Sequence, residues 1–325
     1  MRRVTISPGL LRLPQPPGGT EQVHVLSENE ILAIDTALAA RRALLVRGEP
    51  GTGKTQFAKA AAIALGRAFV PFVIDARTEA RDLLWHFDAV ARLAEAQVQG
   101  ALLGDRQDHA SVAKALAIEN FIQPRALWWA FDWEGAKDQA ARAHAPVPTQ
   151  PTGCDPANGV VVLIDEVDKA ESEVPNGLLE ALGAGEFTPQ GLTTPVAAKN
   201  EDDPPLVVIT TNEERSLPDA FLRRCLVLHL RLPDDRQQLV EHLVERGAAH
   251  FPDVDSEVLT FAAAMVADDR ARARRENWLP LPGQAEFIDL VRAVKNLAEA
   301  DPAAQKAVLE RIAPFALRKR PEAEA

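Results

Sequence analysis

Short apolar runs alternate along this chain with longer stretches in which apolar residues recur at helical spacing. The runs are rich in Val, Ile and Leu, a composition typical of parallel strands that are buried on both faces. They occupy residues 43–46, 68–74, 160–164, 206–211 and 226–228. Because helical segments lie between them, the pattern predicts an α/β fold with a parallel sheet between helices.

After Leu232 the strand-like runs stop and only helical spacing remains. Segments with this spacing cover residues 238–246, 257–266, 285–297 and 304–317. The sequence therefore predicts a small C-terminal domain made of helices, and the 325 residues are enough for about two domains.

A glycine-rich segment after the first apolar run has the pattern G-x-x-x-x-G-K-[ST]. It consists of Gly48, Glu49, Pro50, Gly51, Thr52, Gly53, Lys54 and Thr55. In such loops backbone N–H groups turn toward phosphate oxygens, the lysine reaches the β- and γ-phosphates, and the last hydroxyl binds Mg²⁺. The helix predicted to follow adds its N-terminal dipole. We therefore predict a P-loop that binds the phosphates of a nucleotide.

A pair of carboxylates, Asp165 and Glu166, follows the third apolar run. Ligands of open α/β sheets bind at the carboxyl ends of the strands, where this pair lies. We expect Asp165 to hold Mg²⁺ through water and Glu166 to polarise the attacking water. The alternative is an acidic pair at a helix N-terminus, which the upstream phosphate loop disfavours.

Two further candidates follow the last two apolar runs. Asn212 ends the strand at residues 206–211, from where its side chain could reach the γ-phosphate or the attacking water; otherwise it is an ordinary turn residue. Arg223 and Arg224 precede the strand at residues 226–228, and adjacent arginines are most often a solvated pair.

Composition restricts the possible functions. The formal net charge of −11 argues against a large nonspecific nucleic-acid surface, although it leaves room for a basic channel. No apolar run approaches the roughly 20 residues that cross a bilayer, so we expect a cytoplasmic protein without a membrane partner. Cys154, Cys225 and the seven histidines lack metal-ligand spacing, so we expect no metal beyond Mg²⁺ bound with the nucleotide.

The order of these motifs resembles that of the AAA+ ATPases, and three passages resemble the MoxR-like branch. These passages are residues 81–93, 179–187 and 209–215 with 220–225. The resemblance implies ATP hydrolysis with Mg²⁺ in a ring, most simply a hexamer. It also implies an arginine finger that acts on the neighbouring subunit's nucleotide, with Arg224 as first choice and Arg223 as second.

The resemblance further implies a domain organisation. We predict an N-terminal arm at 1–26, an AAA+ α/β nucleotide-binding domain at 27–232 and a helical lid at 233–325.

MoxR-like proteins carry an insert in the second core helix, which fits the stretch after Arg81 with four of the five tryptophans. They also carry a hairpin before the sensor strand. Residues 188–191 (Thr-Pro-Gln-Gly) fit a type I turn for it.

One feature departs from the AAA+ pattern. The third lid helix normally begins with a sensor arginine, but residues 281–287 contain none. Either Arg274 or Arg275 reaches the γ-phosphate instead, or the lid is coupled more weakly to the nucleotide.

The resemblance implies that the ring remodels a protein client, often one with a von Willebrand factor A domain. Two other functions remain open. One is a nucleic-acid motor or loader, but the acidic composition argues against it. The other is a nucleotide-dependent switch with little turnover, but such a switch would not need the water-orienting carboxylate of Glu166.

Overall fold

The computed structural model describes residues 6–13, 22–102, 109–171, 173–199 and 204–317. The strands are β1 Gly9–Leu13, β2 Gln22–Leu26, β3 Leu44–Arg47, β4 Arg67–Val73, β5 Trp85–Phe87, β6 Ile122–Pro124, β7 Asp155–Asp165, β8 Glu186–Phe187, β9 Val196–Ala197, β10 Leu206–Thr211 and β11 Leu226–His229. The helices are α1 Glu28–Ala40, α2 Lys54–Leu65, α3 Ala89–Leu102, α4 His109–Ala115, α5 Ala126–Phe131, α6 Trp133–Arg142, α7 Glu173–Ala184, α8 Asp219–Arg224, α9 Arg236–His250, α10 Ser256–Arg275, α11 Gln284–Leu297 and α12 Pro302–Leu317.

A five-stranded parallel sheet forms the centre of the α/β part, in the order β11-β3-β10-β7-β4. Each of the five apolar runs in the sequence forms one of its strands. Every residue of β10 is buried, as are residues 160–164 of β7, which explains why these runs lack polar alternation. The predicted α/β fold, a parallel sheet flanked by helices with a C-terminal helical region, is confirmed.

The chain packs as two compact units. The first comprises residues 29–46 and 61–228 of the described chain, with Ile6, and it contains nearly all of the sheet. The second comprises residues 7–28, 47–60 and those from 229 onward, and it contains the glycine-rich loop and the C-terminal helices. The predicted division at residues 26 and 232 stays a prediction. The predicted arm includes residues 1–5 and 14–21, and the predicted lid residues 318–325, all outside the described residues.

The tryptophan-bearing insert of the first unit is partly helical and partly strand. The charged sequence from Glu79 onward predicts a helix, but the structure forms only a single 3-10 turn at Ala80–Leu83, which is followed by β5. The reason is that β5 pairs antiparallel with β6 across residues 85–87 and 122–124, so the chain extends instead of continuing a helix. Trp85, Trp128 and Trp129 are buried in the main hydrophobic core, so they stabilise the unit rather than offer a surface.

The hairpin before β10 is present, with β8 paired antiparallel to β9. Its turn differs from the prediction by one residue. The N–H of Leu192 donates to the carbonyl oxygen of Pro189 at 3.0 Å, which places Gly191 at the third position of the turn. Gly191 has φ +85°, as the third residue of a type II turn requires. Residues with a Cβ rarely adopt this conformation, so glycine is favoured there. A Cβ there would also lie 2.5 Å from a side-chain atom of Ile118 in the insert.

The C-terminal helices α9, α10, α11 and α12 share one apolar core, as their spacing predicts. Leu243, Val258, Phe287, Val291 and Leu309 are among its fully buried members. No helix among the described residues is long and apolar enough to cross a membrane.

Candidate functional site

The glycine-rich loop runs from β3 into α2 with two glycines in the left-handed region. Gly51 has φ +79° and Gly53 φ +92°, conformations that side chains with a Cβ rarely adopt. Gly48 is required for a different reason, because a Cβ there would lie 2.4 Å from the carbonyl oxygen of Leu230. A Cβ on Gly51 would meet the Cβ of Ala285, the second residue of α11, at 2.7 Å. The loop therefore tolerates only glycine at these positions.

Lys54 and Thr52 hold the loop closed on itself. The Nζ of Lys54 donates to the carbonyl oxygens of Gly48 at 2.8 Å and Glu49 at 3.0 Å, and its side chain is buried. The hydroxyl of Thr52 donates to the same Glu49 oxygen at 2.9 Å. The lysine charge is thus fixed within the loop, and Thr55 stands in the first turn of α2 next to it.

This geometry fits a polyphosphate. Side chains are excluded from the glycine positions, a buried ammonium group lies inside the loop, and a helix N-terminus begins at Lys54. A cavity of about 210 Å³ adjoins Gly51 and Gly53 within the same unit. The polar residues His24, Gln56 and Gln284 are among those that line it.

The two carboxylates lie at the carboxyl end of β7, and Thr210 of β10 holds them in place. The parallel register pairs Ile209 with Ile164, so Thr210 stands level with Asp165. The Thr210 hydroxyl donates to the Asp165 carboxylate and accepts the backbone N–H of Glu166 at 2.9 Å. Glu166 itself is in the left-handed region, with φ 64°, so the chain turns sharply at this residue.

Lys169 lies one turn after Glu166, and its Nζ donates to Glu166 Oε2 at 2.5 Å. This hydrogen bond raises the pKa of Lys169. Both side chains are partly exposed to solvent. Glu166 therefore carries a charged partner in this structure, and one of its two oxygens is engaged.

Asp168 connects this turn to the predicted sensor residue. It is buried, and its carboxylate accepts the backbone N–H of Glu214 at 2.9 Å and that of Asn212 at 3.4 Å. The loop after β10 also contains Glu213 in the left-handed region, with φ 62°. The backbone of Asn212 is therefore held beside the carboxylate turn, and the role of its side chain stays a prediction.

The two candidate finger arginines end helix α8, and their side chains are exposed. Arg42 holds the end of this helix through the backbone. Its guanidinium donates to the carbonyl oxygens of Arg223, Arg224 and Cys225, the latter two at 3.0 and 3.1 Å. Within the described ranges neither Arg223 nor Arg224 forms an ion pair, so both guanidinium groups face solvent.

Neither of the arginines predicted to replace the lid sensor contacts the phosphate loop. Arg274 forms an ion pair with Asp234 at 2.6 Å instead, and Arg275 is exposed. The arginine that contacts the loop is Arg270, one turn earlier in α10, which binds the Glu49 carboxylate at 2.7 Å. Whether Arg274 or Arg275 reaches a γ-phosphate, or the lid is coupled more weakly, stays a prediction; spacing alone does not show that Arg270 is on the side of α10 that faces the loop.

Four residues of these arrangements have no role in the sequence prediction: Thr210, Asp168, Arg42 and Arg270. The sequence offers one sign of the role of Thr210, because a polar residue stands next to the end of a largely apolar, buried strand. The other three act through backbone groups or a partner far along the chain, so no local pattern marks them.

Three comparisons with known proteins bear on this arrangement. The family model described as AAA domain (dynein-related subfamily) matches residues 43–225, more than half of the chain. No curated protein sequence matches the chain.

Among solved structures, the chain is similar to the RuvB Holliday junction branch migration motor of Thermotoga maritima. The identity is 15%, the match covers 88% of this chain and 67% of that one, and the TM-score is 0.42. Two mutants of the same Thermotoga protein are each 16% identical. One match covers 92% of this chain and 74% of that one with a TM-score of 0.46; the other covers 88% and 67% with 0.41.

The Thr210 hydroxyl provides a direct test of the carboxylate site. Thr210→Val keeps the shape but leaves the Glu166 N–H without its acceptor, which costs about 1–3 kcal/mol. We expect kcat for ATP hydrolysis to fall about tenfold or more while ADP affinity, measured by calorimetry, changes little. Thr36→Val, which removes an exposed hydroxyl on α1, is the matched control. Unchanged kcat in Thr210→Val would show that this hydroxyl does not organise the site.

Proposed function

Because the chain belongs to the AAA family, in the dynein-related subfamily, and is an ATP hydrolase with the P-loop fold, we propose that it acts as a MoxR-like ring ATPase that remodels or activates a protein partner. AAA+ ATPases use ATP, typically with Mg²⁺, and commonly assemble into rings. The observation that carries the proposal is the anchored pair Asp165 and Glu166 at the end of β7.

Each site residue has a distinct proposed role. The loop from Gly48 to Thr55 binds the phosphates through its N–H groups, and Lys54 neutralises the β- and γ-phosphates. Thr55 and Asp165 hold Mg²⁺, which, when bound, offsets the charge that develops on the phosphate oxygens. Glu166 orients the attacking water, and Asn212 contacts the γ-phosphate or that water. Lys169 must leave the Glu166 oxygen that it binds before that oxygen accepts a hydrogen bond from water.

The finger is proposed to act between subunits. Hydrolysis requires positive charge at the transferred phosphoryl group, and an arginine supplied by a neighbour is a common source. Arg224, with Arg223 as second choice, is exposed and ion-paired to nothing in the described ranges, while Arg42 holds its backbone. Such an arginine is ready to bind a site on another subunit. Assembly, most simply into a hexamer, is thus part of the proposed mechanism.

Two elements support a protein client. The insert and the β8–β9 hairpin pack together, with Phe187 against Trp128 at 5.8 Å between ring centroids. Helix α3 of the insert exposes Val90, Leu93 and Val98, apolar side chains of the kind that protein contacts cover. We propose that these elements contact the client, for example a protein with a von Willebrand factor A domain.

The two alternatives fit less well. A nucleic-acid motor would need a basic surface that the net charge of −11 does not suggest. A switch without turnover would have no use for Glu166, which directly follows the anchored Asp165. Stimulation of the ATPase by DNA would favour the first alternative.

Lys54→Ala and Glu166→Gln separate nucleotide binding from hydrolysis. Lys54→Ala removes the loop's cation, so we expect loss of ATP binding by calorimetry. Glu166→Gln keeps the loop, so ATP should bind and persist.

Because nucleotide at a subunit interface favours the assembled state by mass action, sedimentation of Glu166→Gln should show a larger species with ATP·Mg²⁺ than without nucleotide. Equal loss of ATP affinity in both variants, or a monomer that hydrolyses ATP at full rate, would contradict the proposal.

The client is tested with Glu166→Gln as a trap. With ATP·Mg²⁺ this variant should retain a protein client that ADP releases, and the neighbouring gene products are the first candidates. Lys54→Ala, which cannot hold ATP, is the control and should capture nothing beyond background. Recovery of nucleic acid rather than protein, together with DNA-stimulated hydrolysis, would overturn the remodelling role.

A further inference from the structure

The phosphate loop contains an acidic side chain, Glu49, directly after Gly48. The loop is proposed to bind a polyanion, so a carboxylate within it repels the ligand unless another group neutralises its charge. Lys54 donates to the carbonyl oxygens of Gly48 and Glu49. The Glu49 carboxylate has its own charged partner from a distant part of the chain.

Arg270 of α10 supplies that partner. Its Nη2 contacts both carboxylate oxygens of Glu49, at 2.8 and 2.7 Å. The Arg270 side chain is only 3% exposed, whereas that of Glu49 is 44% exposed. A buried guanidinium requires a counter-charge, and Glu49 is the acidic group that contacts it in the described part of the chain.

Arg270 also contacts the segment that leads into α11. Its Nη1 donates to the carbonyl oxygen of Pro282 at 3.0 Å, two residues before α11 begins. Ala285 of that helix lies against Gly51 of the loop. One side chain thus joins α10, the start of α11 and the phosphate loop. The Nε of Arg270 is buried without a hydrogen-bond partner among the described residues, so the ion pair with Glu49 is its main compensation.

We infer that Arg270 is a positioning residue for nucleotide binding: it neutralises Glu49, so that the loop presents only the charge of Lys54 to the phosphates. It also fixes the start of α11 against the loop. In this chain the C-terminal helices therefore act on the nucleotide through a loop glutamate. This inference rests on the proposed function of the loop.

The two single substitutions have unequal predicted effects on nucleotide binding, whereas breaking a purely structural clamp from either side would weaken binding in both variants. Arg270→Met leaves the Glu49 charge unopposed, so ADP·Mg²⁺ affinity should fall about tenfold. Glu49→Gln removes the repulsion and keeps a hydrogen-bond acceptor for Arg270, so affinity should be equal to that of the wild type or higher. The double variant lacks both charges and should recover to within about threefold of the wild type.

The measurement is calorimetry of ADP·Mg²⁺ binding to the full chain, with thermal unfolding of each variant recorded in parallel. Arg236→Met, which breaks an exposed lid ion pair with Asp268, is the matched control and should bind as the wild type does. Lack of binding by the wild type itself would refute the proposed function rather than this inference. Weaker binding in Glu49→Gln to the same extent as in Arg270→Met, or a double variant as weak as Arg270→Met, would overturn the charge compensation.

If Arg270→Met does not fold, Glu49→Gln and the double variant still decide the question. The inference requires that neither binds ADP·Mg²⁺ much more weakly than the wild type. A marked loss in either would refute it.

Discussion

The parallel pairing of β7 with β10 is the interaction on which the carboxylate site depends. It places Thr210 level with Asp165, and a single hydroxyl then binds the carboxylate of one residue and the backbone of the next. Glu166 adopts an unfavourable left-handed conformation, which persists because the strand before it and the hydroxyl beside it fix the backbone. A shift in strand register would move the hydroxyl away from both groups. The apolar side chains of these strands thus determine where two charged groups lie.

Charge compensation shapes the second compact unit in a similar way. The loop concentrates backbone N–H groups and one lysine, yet it also contains Glu49. A buried arginine from a helix more than 200 residues later in the chain neutralises this glutamate. Burying an arginine is costly without a paired carboxylate, so each member of the pair accounts for the presence of the other. Coupling between the loop and the C-terminal helices therefore needs no arginine at the start of α11.

The sequence predicts the sheet strands, the C-terminal helices and the P-loop because their signals are local. An apolar run indicates a buried strand, and G-x-x-x-x-G-K-[ST] needs eight adjacent residues. The details that depend on tertiary contacts were wrong or missing. The turn is displaced by one residue because a Pro and a Gly two positions apart do not show whether Gly191 takes the third or the fourth position. The segment at Glu79 extends into β5 because a partner strand 37 residues later pairs with it. Likewise, helical periodicity does not distinguish Arg270 from Arg274.

The roles assigned to Glu166 and Arg224 belong to different parts of the proposed ring. Glu166 is held directly after β7 of its own subunit, whereas the Arg224 guanidinium faces solvent while Arg42 fixes its backbone. If both residues served the same subunit, defects in them would not complement each other. If the arginine serves the neighbour, one subunit lacking Arg224 and another lacking Glu166 still form an intact interface between them.

The most direct measurement is therefore ATP turnover in rings mixed from Arg224→Ala and Glu166→Gln subunits under conditions of subunit exchange. The account predicts turnover well above that of either variant alone. Mixing Lys54→Ala with Glu166→Gln, whose defects both lie in the subunit that binds the nucleotide, should give no recovery. Absence of recovery in the first mixture, with mixed rings verified by mass photometry, would contradict hydrolysis across a subunit interface.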